Sequence, residues 1–325
     1  MTNTVDFGDV ITAMVTPFKA DKKPSEKEPP VDLDEMELLA NYLLKHGTDM
    51  LLLTGSTGEA AQLSADEKWA IVSRLRCFTP KGAKIMVATS DTNTQRAIHK
   101  TNKAFEFEAD AVLVAVPEYI KPPQRALFMH FNAIAKSAGN KPIVIYNIPG
   151  RTGTEILPET VADLAFENPN IVGIKQSMGN MDKVSELRTM CPEGFKIYSG
   201  DDSLTLPMLA LGASGVISVT SHLEGDLMRK MVREFKANHT QKALEIHNLL
   251  YPLYKALFMA TNPLPIKEAL YQKGLISSPT LRTLGEMSKE DKEKLRVSLY
   301  NFEQRKNLYM AGAPLPRRRP QNAKD

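Results

Sequence analysis

One lysine lies near the end of a predicted buried strand. Residues 171–177 are apolar up to Lys175, and strand alternation puts Ile171, Gly173 and Lys175 on one face, where the glycine leaves space for the long side chain. Lysine is among the residue types least often buried, so a lysine in such a strand suggests a chemical role. Burial lowers the pKa of a lysine, and the resulting free amine can attack a ketone carbonyl. The spacing alone equally allows a solvated lysine or one paired with a carboxylate.

Two further predicted strand ends carry polar groups. Tyr146 ends one strand, and Arg151 follows five residues later. A tyrosine at this place can transfer protons, and an arginine can bind a carboxylate through two parallel hydrogen bonds. A second strand continues into Thr54-Gly-Ser-Thr-Gly-Glu59, a glycine-rich turn whose N–H groups and hydroxyls suit a carboxylate or a phosphate. Taken singly, these features also fit a packed tyrosine, a surface arginine and an ordinary β-α turn.

Eight short apolar segments alternate with longer segments of helical periodicity. This alternation predicts parallel β-α units, and the near-continuous apolar character predicts strands that are buried on both faces. Eight such strands favour an α/β fold of the (β/α)8 TIM barrel type over an open doubly wound sheet. The dinucleotide-binding motif G-x-G-x-x-G does not follow the first strand, which also argues against a doubly wound sheet. The predicted strands are residues 10–18, 49–55, 84–90, 111–117, 142–149, 171–177, 196–200 and 215–221.

Helices are predicted between these strands and after the last one. Ser64-Ala-Asp-Glu67 and Asp32-Leu-Asp-Glu35 have the pattern of capping boxes at helix starts. Predicted domains are a barrel over residues 1–222, a helical C-terminal region over 223–310, and a disordered basic tail over 311–325. The predicted helices are residues 33–46, 66–75, 96–107, 124–137, 158–166, 181–190, 203–211, 223–237, 241–259, 265–273 and 289–306.

Composition excludes several classes of protein. With 325 residues and 42% hydrophobic residues, the chain can build a large core and is not mostly disordered. The formal net charge of +3 arises entirely in the tail, where Arg317, Arg318, Arg319 and Lys324 outnumber Asp325. The rest of the chain is neutral, which argues against a nucleic-acid-binding face.

Compartment and membrane association follow from the remaining features. Cys77 and Cys191 are far apart and lack metal-ligand spacing, so a disulfide framework is excluded and a reducing cytoplasm is expected. No apolar segment resembles a secretory signal, and the longest clean apolar run, residues 111–117, is much shorter than a membrane span. We therefore expect a cytoplasmic protein without a membrane partner.

Five motifs together carry a resemblance that none of them carries alone. From Gly8 to Gly274 the chain resembles the dihydrodipicolinate synthase/N-acetylneuraminate lyase family of class I aldolases. The joint occurrence of these five motifs in this order is highly specific, and it decides against the structural alternatives given above. The motifs are Gly55-Ser-Thr-Gly-Glu59, Tyr146-Asn-Ile-Pro-Gly-Arg-Thr-Gly153, Gly173-Ile-Lys175, Ser199-Gly-Asp-Asp202 and Gly212-Ala-Ser-Gly-Val-Ile-Ser218.

The resemblance implies a set of catalytic residues. Lys175 would form a Schiff base with pyruvate, so no metal or organic cofactor is expected. Tyr146 would be the main proton-transfer group, with Ser56 and Tyr119 in the proton relay. Tyr119 lies in residues 116–122, which match the family's loop after the fourth strand, and it would be donated across a dimer interface. The expected assembly is a homodimer or a dimer of dimers.

The resemblance also implies substrates and the groups that bind them. Thr57, with Ser56, would hold the pyruvate carboxylate, and the backbone at Gly200 and Ile217 would line the site. Arg151 implies the branch of the family that condenses pyruvate with aspartate semialdehyde in lysine and diaminopimelate biosynthesis, where an arginine binds the aldehyde's carboxylate. One alternative is another pyruvate-dependent 2-oxo-acid aldolase or lyase. Another is a catalytically silent scaffold or nucleic-acid binder that acts through the basic tail.

Several residues depart from the family pattern. Ser56 replaces a threonine that is more usual, and Gln176-Ser177 replaces Glu-Ala after the lysine. Many members of the family are inhibited by lysine, which an acidic residue early in the helix after the third strand binds at the dimer interface. That position is Arg96 here, and an interface tyrosine of the same pocket is replaced by Glu118. The resemblance therefore predicts an enzyme that free lysine does not inhibit at millimolar concentration.

Overall fold

The strands form a closed parallel barrel. The computed structural model describes residues 6–20 and 28–313. Each strand pairs with the next and the last pairs with the first, which confirms the predicted (β/α)8 barrel. Each observed strand lies inside its predicted segment, because the apolar runs continue into the loops. The strands are β1 (Val10–Ala13), β2 (Met50–Leu53), β3 (Lys84–Ala88), β4 (Ala111–Ala115), β5 (Ile143–Asn147), β6 (Ile171–Gln176), β7 (Lys196–Ser199) and β8 (Gly215–Ser218).

Helices surround the barrel and continue beyond it. They are α1 (Leu33–Lys45), α2 (Ala65–Phe78), α3 (Thr94–Glu106), α4 (Gln124–Ala138), α5 (Pro149–Thr152), α6 (Pro158–Glu167), α7 (Met181–Met190), α8 (Thr205–Ala210), α9 (Ser221–Lys236), α10 (Thr240–Leu257), α11 (Leu264–Gln272) and α12 (Lys289–Met310). Among the described residues, no helix has both the length and the apolar character that crossing a lipid bilayer requires.

The last helices form the C-terminal extension. Helix α9 packs against β1, β8 and α1, and so takes the place of the eighth helix around the barrel. Helices α10 and α11 pack against α9 and each other, and α12 packs against α10 and α11. The boundary at residue 222 stays a prediction, and these contacts favour placing it after α9. The predicted disordered tail lies outside the described residues from residue 314 onward.

The interior of the barrel is filled by inward-facing side chains. Aliphatic, methionine and aromatic residues from all eight strands form this inner core, and a second core lies between the strands and the surrounding helices. The polar groups of the site lie on top of the inner core, at the carboxyl ends of the strands. Members of the inner core include Ile11, Leu52, Met86, Leu113, Val144, Tyr146, Tyr198 and Ile217.

The predicted alternation along β6 is wrong at its first residues. The pairing of β5 with β6 shifts by one residue, so that Ile143 pairs with Ile171 whereas Val144 pairs with Gly173. This bulge turns Ile171 toward the outer core and Val172 toward the barrel interior. Gly173 does not make room for a lysine either. A Cβ there would lie 2.5 Å from the carbonyl oxygen of Lys196 on β7, so the glycine permits close approach of that strand.

The two predicted capping boxes differ in outcome. Ser64 and Glu67 form both reciprocal hydrogen bonds at the start of α2, which confirms the first. Asp32 accepts from the Glu35 N–H at the start of α1, but the Glu35 carboxylate accepts from the Ser277 N–H instead of turning back to Asp32. The second box is thus only half formed, because the extension engages Glu35.

Candidate active site

Lys175 and Tyr146 lie side by side at the carboxyl end of the barrel. They are partners in the register of β5 and β6, and the Lys175 Nζ lies 4.3 Å from the centre of the Tyr146 ring. Only 6% of Lys175 is exposed, which contradicts a solvated lysine. Burial raises the pKa of the nearby Asp201 carboxyl, and the charge of Lys175 acts in the opposite direction. A buried amine, a phenol and a carboxyl group therefore meet in one place.

Gly200 closes one side of this group. A Cβ on Gly200 would lie 1.8 Å from the Ser177 Oγ and 2.9 Å from the Lys175 Cε, so a larger residue directly after β7 would have to displace these side chains. The Ser177 hydroxyl is buried and has no hydrogen-bond partner among the described residues. On the neighbouring strand Ile217 is almost fully buried and belongs to the inner core. Gly200 thus adjoins Lys175, and Ile217 lies beneath the site.

In the turn after β2, Ser56 and Thr57 differ in their exposure to solvent. Thr54 and Glu59 bound the turn with left-handed backbone conformations, at φ of 53° and 55°. Thr57 is buried within it, whereas Ser56 is exposed. The structure therefore buries Thr57 within the turn and leaves Ser56 at its surface.

Thr57 and Arg151 meet through a residue that the sequence did not single out. Asn262, from the loop between α10 and α11, donates from Nδ2 to the Thr57 Oγ1 at 2.9 Å. Its main-chain oxygen accepts a longer hydrogen bond, at 3.4 Å, from the Arg151 Nη2. Arg151 lies on α5, directly after β5, and is exposed. The two predicted carboxylate-binding groups are therefore joined by the C-terminal extension.

Tyr119 is separate from this buried group. It is 89% exposed and has a left-handed backbone conformation at φ of 67°. Its N–H donates to the carbonyl oxygen of Thr152 in α5, one residue after Arg151. The loop therefore holds Tyr119 outward beside the mouth of the site.

Comparison with known proteins gives a consistent result. Residues 6–301 match the Dihydrodipicolinate synthetase family. This chain is a member of that family. It is 48% identical to the 4-hydroxy-tetrahydrodipicolinate synthase of Cyanothece sp., covering 84% of this chain and 90% of the relative. It is 45% identical to that of Acaryochloris marina, covering 90% and 97%. The crystal structure of the Cyanidioschyzon merolae enzyme with lysine bound superposes with a TM-score of 0.87 at 36% identity, covering 91% and 98%.

In this member of the dihydrodipicolinate synthetase family a buried ion pair supports the turn after β2. Lys267, from α11, donates from Nζ to the Glu59 Oε1 at 2.8 Å and also to the main-chain oxygens of Thr16 and Thr280. Burial lowers the pKa of Lys267 to about 8, against the opposing charge of Glu59. Neither residue was a predicted site residue, because Glu59 alone suggests an ordinary turn and Lys267 alone an ordinary helix.

The buried Arg282 side chain binds the segment that follows this turn. Its guanidinium donates to the Glu67 carboxylate and to the main-chain oxygens of Gln62 and Pro29, and lies 4.7 Å from the centre of the Phe18 ring. The hydrogen bond from Arg282 is the main reason that the pKa of Glu67 falls to about 2. The extension therefore holds the chain that directly follows Thr57, at Glu59, Gln62 and Glu67.

Buried polar groups also order the chain that follows β7, β8 and β1. The Asp202 carboxylate accepts from the N–H groups of Val219 and Thr220 after β8, and burial raises its pKa. The His222 Nε2 accepts from the Val15 N–H, so its proton lies on Nδ1 and is donated to the Val219 oxygen. Burial lowers the pKa of His222 to about 4. In the described part of the chain, no group of three or more His, Cys, Asp or Glu side chains is arranged to hold a metal ion.

Proposed function

We propose that this chain is a 4-hydroxy-tetrahydrodipicolinate synthase. It would condense pyruvate with L-aspartate 4-semialdehyde, in the biosynthesis of diaminopimelate and lysine. The observation that carries the proposal is the buried Lys175 amine, which lies against Tyr146 in a chain whose relatives bear this name. Burial supports a nucleophilic role, because a lysine that served only as a surface charge would not be enclosed by the Tyr146 ring and by Gly200 at the end of β7.

The proposed reaction begins at Lys175. Its Nζ attacks the C2 carbonyl of pyruvate, and loss of water gives a protonated imine. The imine withdraws electrons, so a methyl proton of the bound pyruvate leaves and an enamine forms. The enamine carbon then attacks the aldehyde carbon of aspartate semialdehyde. The amine of that substrate finally displaces Lys175 from the imine carbon and closes the ring. The imine itself supplies the electron sink, so the scheme uses no cofactor.

The residues around Lys175 would supply the proton-transfer and substrate-binding groups of this scheme. Tyr146, whose ring centre lies 4.3 Å from the Lys175 Nζ, would be the main proton-transfer group, with Ser56 and Tyr119 as further members of the relay. Thr57 and Ser56 would hold the pyruvate carboxylate, and Arg151 the carboxylate of the aldehyde. Gly200 and Ile217 would line the pocket. The hydrogen bonds that join Thr57, Asn262 and Arg151 support two adjacent carboxylate pockets.

Tyr119 supports a homo-oligomer, either a dimer or a dimer of dimers. Tyr119 is 89% exposed and the adjoining Ile120 is 56% exposed, on a loop tied to α5 beside Arg151. A side chain held outward at the mouth of one site is suited to enter the site of a second copy. We propose a cytoplasmic location, as expected for an enzyme of amino-acid biosynthesis with unpaired cysteines.

Two other functions compete with this one. A pyruvate-dependent aldolase with a different aldehyde would use the same lysine, and Arg151, which Asn262 links to Thr57, favours an aldehyde that carries a carboxylate. Comparing aspartate semialdehyde with aldehydes that lack a carboxylate distinguishes these cases. A scaffold or nucleic-acid binder acting through the basic tail would need no buried lysine; loss of salt-sensitive binding on deleting residues 316–325 would favour it.

Reductive trapping tests the proposal directly. The protein is treated with pyruvate and borohydride, digested and mapped by mass spectrometry, beside a Lys175→Met variant. We expect one pyruvyl adduct, on Lys175, and none in the variant. An adduct on another lysine, or none in the wild type, would overturn the mechanism. Product formation with aspartate semialdehyde then tests the second substrate separately.

A further inference from the structure

We infer that Asn262 is a positioning residue that sets the direction of the Thr57 hydroxyl. By donating to the Thr57 Oγ1, it would leave the proton of that hydroxyl free for the pyruvate carboxylate. This inference rests on the proposed function, in which Thr57 binds pyruvate. It assigns to the C-terminal extension a part in substrate binding.

In the hydrogen bond between Asn262 and Thr57, the amide nitrogen is the donor and the hydroxyl oxygen is the acceptor. The Asn262 Nδ2 lies 2.9 Å from the Thr57 Oγ1, and both residues are more than nine-tenths buried. An amide nitrogen only donates, whereas a hydroxyl has one proton and two lone pairs. With a lone pair occupied by Asn262, the Thr57 proton must point to another acceptor. No such acceptor bonds to it among the described residues.

A carboxylate is the acceptor that this arrangement suits. Ionised carboxylates accept hydrogen bonds and donate none, so a hydroxyl that is already turned outward binds them without first reorienting. Hydrogen bonds to a charged group are about twice as strong as neutral ones. The direction of a single hydroxyl therefore affects pyruvate binding measurably.

The main chain of Asn262 is held in place by its neighbours, whereas its Oδ1 is buried and has no hydrogen-bond partner among the described residues. Its main-chain oxygen accepts from Arg151, and the helix that follows carries Lys267, which is bound to Glu59 at the end of the same turn. The turn and the Asn262 loop are thus clamped together by a buried ion pair. This rigidity allows one amide to fix one hydroxyl.

A purely structural role makes the opposite prediction about substitutions. If Asn262 only fills space, the nearly isosteric Asn262→Asp is tolerated and Asn262→Ala is harmful. If it directs the hydroxyl, Asn262→Asp replaces the donor with an acceptor, so Thr57 turns its proton toward residue 262 and away from pyruvate. Asn262→Ala leaves the hydroxyl free to rotate and is milder.

The experiment is a double-mutant cycle between residues 262 and 57. Asn262→Asp and Asn262→Ala are each made with Thr57 and in a Thr57→Val background, with the exposed Asn248→Asp as the charge control in the same extension. The measurements are the KM for pyruvate, the rate of borohydride trapping at limiting pyruvate, kcat and the melting temperature. Trapping in the wild type tests the proposed function separately.

With Thr57 present, we expect Asn262→Asp to raise the pyruvate KM roughly tenfold or more and Asn262→Ala by about threefold, with little change in melting temperature. In the Thr57→Val background, the effect of Asn262→Ala should vanish, and the Asp effect should shrink to the repulsion between carboxylates. A tolerated Asp, an Ala variant as impaired as Asp, or effects that are the same without Thr57 would overturn the inference. If the Asp variant does not fold, the Ala cycle alone decides.

Discussion

Glu59 and Lys267 form an ion pair in which neither side chain is accessible to solvent, with 2% and 0% of their surfaces exposed. All three protons of the Lys267 ammonium are used, because it also binds the main-chain oxygens of Thr16 and Thr280. Removing one partner from such a pair leaves an uncompensated buried charge. The pair thus fixes α11 to the turn that contains Thr57.

Lys267→Met should be strongly destabilising for this reason. We expect the free energy of unfolding to fall by about 3–5 kcal/mol, as measured by urea denaturation. Glu59→Gln in the same chain should recover part of the loss, because it removes the isolated charge. As a control, Lys294→Met changes an exposed lysine that pairs with Glu290 within α12, and should have no measurable effect. Equal stability of Lys267→Met and wild type would show that the pair has no structural role.

Gly200→Ala should inactivate the enzyme while leaving the fold intact. The new methyl group would lie 1.8 Å from the Ser177 Oγ and 2.9 Å from the Lys175 Cε, so the lysine must move. A displacement of about 1 Å at the reacting group can lower kcat roughly a hundredfold.

Gly179→Ala is the matched control, since nothing lies within 4 Å of its added Cβ. Adding Ser177→Ala to Gly200→Ala removes the nearest obstructing atom and should restore part of the rate. A Gly200→Ala variant with normal kcat would mean that the strand end moves freely away from Lys175.

Arg151→Lys should separate the two half-reactions. Lysine keeps the charge but loses the planar pair of donors, so it binds a carboxylate less well. We expect kcat/KM for aspartate semialdehyde to fall at least tenfold while the trapped pyruvate adduct forms at nearly the normal rate. Arg125→Lys, at an exposed position, is the control. Equal losses in both steps would indicate that Arg151 has a structural role instead.

The sequence predicts features that repeat along the chain, but not contacts between segments that are far apart in the chain. Strands buried on both faces require continuous apolar runs, so all eight were predicted, and Lys175 was visible as a polar residue inside one of them. The bulge that turns Val172 inward was not, since alternation assumes a regular strand. Asn262 and Lys267 meet the turn after β2 from positions 205 and 208 residues away, and a single sequence contains no sign of such contacts.

Acid should destabilise the fold through His222. Its native pKa of about 4 lies below the ordinary 6.5, so the unfolded chain binds the proton more readily. The stability from this group is therefore complete above pH 6.5 and is lost as the pH falls toward 4, by about 2 kcal/mol at pH 5. Urea denaturation at pH 7.5 and pH 5 measures the loss, and His222→Gln, which does not titrate, should show a smaller one. A His222→Gln variant as acid-sensitive as the wild type would assign the effect to other groups.

Free lysine should not inhibit this enzyme, because the region that corresponds to the lysine-binding pocket of inhibited relatives is cationic. Arg96, where inhibited relatives have an acid, binds the Asp91 carboxylate at 2.9 Å, and Lys100 binds the same carboxylate at 2.7 Å. Lys68 is near enough for the charge of Lys100 to lower its pKa, after the larger effect of burial. Asp91 is thus already occupied by two cations, and a third lies beside them. The ammonium group of a lysine ligand would meet repulsion here.

Steady-state rates with and without added lysine test this prediction. We expect no inhibition at millimolar lysine, because one lost charge-assisted hydrogen bond of about 1.5–3 kcal/mol already weakens binding by roughly ten- to a hundredfold. Glu118 is exposed on the loop of Tyr119 and offers the only replacement carboxylate that the altered pocket residues introduce, so Glu118→Gln is measured in parallel. Half-inhibition of the wild type below about 1 mM would refute the prediction. Loss of that inhibition in Glu118→Gln would then identify the carboxylate that took over the role of the missing acid at residue 96.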